Sequence, residues 1–116
     1  MNLQDAFKSI IGTDDAPVVI TGLDHTIVYM NPAAQNRYAK HGGSTLIGQS
    51  LLACHNENSV RIIHETIAWF LQDVQNNKKY MYHRLGCDVY MVAIRDGAGK
   101  LTGYYEKHES RKKEVQ

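Results

Sequence analysis

The sequence predicts an α+β domain: a five-stranded antiparallel sheet with helices on one face, preceded by a short N-terminal helix. Three observations predict it. Two β-branched runs, 18–20 and 27–29, flank a turn and lead straight into a capped helix. One apolar stripe at helical spacing runs from Val60 to Val74. Three strand-like runs with turn residues between them then close the chain. Neither strand group is stable alone in water, so they join into one sheet whose apolar face the intervening helices cover.

Residues 2–11 read as an amphipathic helix, with Leu3, Phe7, Ile10 and Ile11 at helical spacing; Gly12 and the Asp14-Asp15 pair end it. Asp24-His25 stands where a two-residue hairpin turn must reverse the chain. Asn31 can accept hydrogen bonds from the first free N–H groups of a helix, and Pro32 fits the first helical position. Residues 40–45 (KHGGST) are a loop, and 46–52 are a helical turn around Gly48. The longest helix follows, with Asn56, Asn58 and Ser59 as alternative N-caps. Its core stripe is Val60, Ile63, Ile67, Phe70, Leu71 and Val74, and Asn76-Asn77 ends it. Strands are expected at 79–85, 87–95 and 101–107, with turns at Gly86 and Asp96-Gly97-Ala98-Gly99. The chain thus divides into an N-terminal helix (1–15), a domain body (16–109) and a flexible tail (110–116).

Composition narrows the function classes. A chain of 116 residues, 43% apolar and 22% charged, forms one globular domain with a core of its own. A net charge of +1 supplies no general pull toward nucleic acid or an anionic membrane, and neither is expected as a partner. No apolar run reaches membrane-spanning length and the N-terminus has no signal-peptide pattern, so a cytoplasmic location is expected. Cys54 and Cys87 are too few for a disulfide scaffold, and Cys54 reads as a small buried hydrophobe. There is no nucleophile elbow, phosphate loop or metalloprotease motif, so no enzymatic activity is expected and no catalytic residue is named.

The order of these signals resembles the PAS domain family over about 16–109. The strand–turn–strand–Asn–helix segment reads VVITGLDHTIVYMNPAA; Gly48-Gln49-Ser50-Leu51 and Gly99-Lys100-Leu101-Thr102-Gly103 match two further family segments. Cys54-His55 before a capped helix is similar to a bacterial subset of PAS-like domains. His25 departs from the glycine usual in the first turn, and His108-Glu109-Ser110 departs from the family's closing Asp-Ile-Thr triplet. The resemblance implies a sensory or signalling module that binds a small molecule between the long helix and the sheet. It also implies readout through a homodimer or a separate signalling protein.

That placement names the candidate pocket as His55, Val60, Ile63, His64, Ile67, Tyr82, Val89, Met91 and Tyr105. His55 and His64 have two readings: ordering a loop and lying half-exposed on a helix, or supplying the axial ligand of a haem in a gas or redox sensor. No metal beyond that iron is expected, and flavin is disfavoured because Cys54 lacks the Asn-Cys-Arg-Phe surroundings of the photosensory subfamily. The candidate dimer or partner surface is Leu3, Phe7 and Ile10 on the first helix, with Ile62 and Trp69 opposite the core stripe of the long one. The remaining alternative is a purely structural dimerisation module with a filled core.

Overall fold

The first strand pair is set by its turn. In a computed structural model that describes residues 1–110, β1 (Val19–Gly22) and β2 (Ile27–Met30) are separated by four residues, of which Leu23, Asp24 and His25 form the hairpin loop, one residue more than expected, and Thr26 pairs back with Gly22. His25 N donates to Gly22 O at 2.9 Å and Gly22 N donates to Thr26 O at 3.0 Å. His25 sits at φ +67°, the left-handed conformation that completes a three-residue hairpin loop. Histidine reaches it more readily than branched residues do. The register pairs Ile20 with Tyr29 and then Thr21 with Ile27, so Val28 is passed over and faces solvent.

Asn31 caps α2 (Pro32–Arg37) as expected, accepting from Ala34 N at 2.9 Å. The segment expected as a loop and one helical turn forms 3₁₀ turns at Ala39–His41, Gly43–Leu46 and Leu51–Cys54. Between the last two, Gly48 N donates to Ile27 O at 2.8 Å and Ile27 N donates to Gln49 O at 2.9 Å. The free edge of β2 is thereby covered.

The long helix, α3 (Glu57–Gln72), starts at Asn56, whose side chain accepts from Ser59 N at 2.9 Å. It stops before the Asn76-Asn77 pair. Arg95 reaches its C-terminus, donating through Nη2 to Phe70 O at 2.7 Å, Asn76 O at 3.1 Å and Asp73 O at 3.2 Å. The buried face of the helix is Ile63, Thr66 and Phe70. Leu71 and Val74, expected in the core stripe, are exposed because one lies on the outer face and the other past the helix end.

β3 (Lys78–Arg84), β4 (Cys87–Arg95) and β5 (Leu101–Ser110) complete a single antiparallel sheet ordered β2-β1-β5-β4-β3. The last strand extends beyond the expected 107 by pairing Ser110 with Cys87, and the tail expected from 110 lies otherwise outside the described residues. The two strand groups meet where β1 pairs with β5, Thr21 opposite Tyr104 and Gly22 opposite Gly103. Two core clusters result. Val19, Ile27, Met30, Ala34 and Leu46 form one. Ile63, Phe70, Met91, Leu101 and Tyr104 form the other, and Leu51 packs against both.

α1 (Leu3–Thr13) buries none of its residues. Its end is held by Asn31, whose Nδ2 donates to Ile11 O at 3.0 Å. No helix among the described residues is long and apolar enough to cross a membrane.

Candidate functional site

The two core clusters do not merge. A cavity of ≈ 500 Å³ lies between them, within the size range of small-ligand sites. Strand alternation decides which sheet residues reach it. Thr21, Met91, Tyr104 and Glu106 project from the helix-facing side of β1, β4 and β5. The first hairpin adds Val19, Ile27 and Met30; the 3₁₀ turns add Leu46, Leu51 and Cys54; α3 adds Ile62 and Ile63. Met81, Tyr82 and Arg84 of β3 and Tyr38, His41, His55 and Ser59 complete the wall. Three methionines, Met30, Met81 and Met91, among its apolar side chains make a surface that adapts to flat or irregular guests.

Glu106 is the half-buried charged side chain of this surface, whereas Arg84 is exposed. Tyr82 donates its hydroxyl to Oε1 at 3.2 Å, and Oε2 lies 3.6 Å from His108 Nε2. Burial works to raise the Glu106 carboxyl; His108 and the Tyr82 hydrogen bond outweigh it and hold the group below the usual carboxylate range. Burial first, and then the Glu106 charge, pushes the Tyr82 hydroxyl up to about 12 and raises that of Tyr38. His108 is itself buried, and neither ring nitrogen has a hydrogen-bond partner among the described residues.

A second polar group lies at the other side. The Tyr104 hydroxyl is 2.8 Å from His25 Nδ1, and the His25 ring meets His64 edge-on at 5.1 Å between centroids. Burial first, then the neighbouring His64, lowers the His25 pKa. The turn residue His25 therefore links the first hairpin to a cavity-lining tyrosine and to α3.

The structure brings His55, Ile63, Tyr82 and Met91 of the sequence-derived pocket onto the cavity wall. Val60, His64, Ile67, Val89 and Tyr105 lie outside the lining. Tyr105 points to the opposite sheet face from Tyr104 and Glu106. His64 is one residue past Ile63, about 100° round the helix, and is exposed beside His25. Ile67 packs into the second core cluster, Val60 is half-buried on the first turn of α3, and Val89 is fully buried opposite His108.

Among the proposed surface residues, Leu3, Phe7 and Ile10 are exposed. Ile62 and Trp69 are not: Ile62 turns to the cavity, and Trp69 packs against the second cluster and the Phe70 ring, 5.8 Å away. Cys54, expected to be buried, is exposed at the end of its 3₁₀ turn. No group of three or more metal-ligating side chains occurs among the described residues.

Glu106, Tyr38 and Met81 are wall residues that sequence reasoning missed. A signal for Glu106 existed: it stands two positions after Tyr104, so strand parity puts a carboxylate on the face that is meant to be apolar.

No family model and no curated protein matches the chain in sequence. Solved structures do match it in shape. The C-terminal domain of a Streptococcus mutans protein superposes with a TM-score of 0.69 at 20% identity, covering 95% of this chain and 85% of that one. The PAS domain of a Colwellia psychrerythraea protein gives 0.68 at 15% identity over 94% and 97%. The Vibrio cholerae Aer2 receptor, a dual PAS-haem oxygen sensor, gives 0.60 at 13% identity over 84% and 95%. The five-stranded sheet in the order β2-β1-β5-β4-β3, with its helices and cavity on one face, is the fold of a PAS domain.

Proposed function

We propose that this chain is a non-catalytic sensory module that binds a small molecule in the cavity between α3 and the sheet. The supporting observation is the cavity itself: ≈ 500 Å³, largely apolar, with a half-buried carboxylate and tyrosine hydroxyls converging on it. Binding changes output only if the ligand favours one arrangement of the domain over another. In this reading the module acts in the cytoplasm and reports to a second copy or to a separate signalling protein. Leu3, Phe7 and Ile10 supply unburied apolar surface for such a contact. Native mass spectrometry of the purified chain tests the reading, with Met81→Trp as the filled-cavity control. A bound small molecule that is lost in Met81→Trp is expected. Wild-type protein that carries nothing and takes up nothing from a metabolite mixture would return the chain to the class of filled structural modules.

Haem is the second reading, favoured by one observation. His55 Nδ1 donates to Leu51 O at 2.7 Å, which leaves the lone pair on Nε2 at a residue on the cavity wall. His55 rather than His64 then holds the iron, and the haem would supply gas binding or redox chemistry. A Soret band after growth with added haem, lost in His55→Ala and kept in His64→Ala, is the expected result. No Soret band in wild-type protein refutes it.

A further inference from the structure

We propose that the cavity selects an apolar amine, a molecule with a hydrophobic body and a protonated nitrogen seated against the Glu106 carboxylate. This rests on the cavity reading above and adds the ligand's chemical class. The first argument is position. Glu106 is the half-buried charge of the lining, whereas His41, His55 and Arg84 are solvent-exposed. On the wall itself a ligand meets the Glu106 carboxylate, with buried His108 beside it, and meets the basic wall residues only where water screens them.

The second argument is unused capacity. A carboxylate offers about four acceptor sites. Tyr82 takes one on Oε1, the Tyr38 hydroxyl also engages the carboxylate, and His108 Nε2 lies 3.6 Å from Oε2 as an ion-pair partner. Of about four acceptor sites these three partners leave one for an N–H donor on the ligand. The third argument is the surroundings. Tyr38, Tyr82 and Tyr104 line the same cavity and supply aromatic rings, which attract cations, while Met81 and Met91 accommodate a flat apolar body. An anionic ligand is repelled by Glu106, and a neutral one leaves its remaining acceptor site unfilled in a partly dewatered site.

Isothermal titration of the full chain near neutral pH, with tryptamine, 3-ethylindole and indole-3-propionate, tests this. The probes share one ring and differ in charge. Tryptamine is expected to bind about 10-fold more tightly than 3-ethylindole, and indole-3-propionate more weakly than either. Glu106→Gln keeps the side-chain shape and should weaken tryptamine about 10- to 100-fold while leaving 3-ethylindole within about 3-fold. Equal or tighter binding of the acid overturns the proposal, as does Glu106→Gln binding tryptamine like wild type, and so does the absence of tryptamine binding at millimolar concentration. These results leave the cavity reading standing if 3-ethylindole or the acid binds wild type and is excluded by Met81→Trp. If Met81→Trp binds every probe as wild type does, the site is not the cavity and both readings fall.

Discussion

Asn31→Ala should be among the most damaging single substitutions in this chain. Asn31 is fully buried. Its Oδ1 accepts from Val18 N and Ala34 N, both at 2.9 Å. Its Nδ2 donates to Ile11 O at 3.0 Å and Ala16 O at 2.9 Å. One amide side chain thus caps α2, closes the start of β1 and ties down the end of α1. Alanine removes all of these bonds and leaves main-chain groups from three segments without that partner. Each bond contributes about 1 kcal/mol net, and the capping bond alone about 0.5–2 kcal/mol, so the loss should total about 3–5 kcal/mol. For a domain of this size that lowers Tm by about 12–20 °C, a large part of a total stability of about 5–15 kcal/mol. Urea unfolding followed by far-UV circular dichroism measures it, with the slope against denaturant expected to stay unchanged. Hydrogen exchange should accelerate at the Val18 and Ala34 amides. A loss below about 1 kcal/mol would mean that water replaces Asn31 at little cost, and the reasoning would fail.

Three further outcomes are expected. Gly103→Ala should destabilise by about 3 kcal/mol or more in urea, because its Cβ would collide with Thr21 O on a backbone pinned by the β1–β5 pairing; near-wild-type stability would mean that this seam shifts easily. Arg95→Lys should lose about 2–3 kcal/mol, since lysine keeps the charge but not the fork that reaches Asn77 Oδ1 at 2.7 Å and Phe70 O at 2.7 Å together. His25, its pKa lowered first by burial and then by His64, folds in its neutral form. Its contribution is therefore complete above the ordinary imidazole value of about 6.5 and is lost as pH falls through the lower folded value. Proton NMR should find the His25 ring titrating below that value, and higher in His64→Ala; a His25 that titrates above it contradicts the assignment.

Local signals carried most of the fold. Asn31-Pro32 and Asn56 spelled helix starts, the glycine-rich turn at 96–99 closed its hairpin, and alternation along 87–95 gave β4 its bounds. What failed depended on partners distant in sequence. The end of α3 is set by Arg95, more than twenty residues downstream, so the Asn76-Asn77 signal misplaced it. Trp69 looked exposed on a helical wheel, but its ring lies against Phe70 and near Lys79, whose ammonium is 5.2 Å from the ring centre. The candidate pocket suffered in the same way. Periodicity separates the two faces of a helix or strand but does not say how far along each face a cavity extends. Ile63 and Met91 were placed on the wall, while Ile67 and Val89 fell into neighbouring packed regions.

The cavity follows from how the core is divided. Residues of the first cluster, Val19, Ile27, Met30 and Leu46, line it from one side, and Ile63, Met91 and Tyr104 of the second line it from the other. Leu51, packed against both clusters, lies on the same wall. A gap at this seam forfeits packing that a filled core would have, and the β1–β5 pairing and Leu51 connect the two sides across it. A guest that fills the gap contacts both clusters at once and stabilises the domain in proportion to the logarithm of its concentration over its Kd. The stabilisation falls on the relation between the first hairpin and α3, the two elements that also meet through Tyr104, His25 and His64. In the proposed reading, a ligand that binds there couples its occupancy to hairpin position through packing, and reaches a partner surface only if it favours one hairpin position over another.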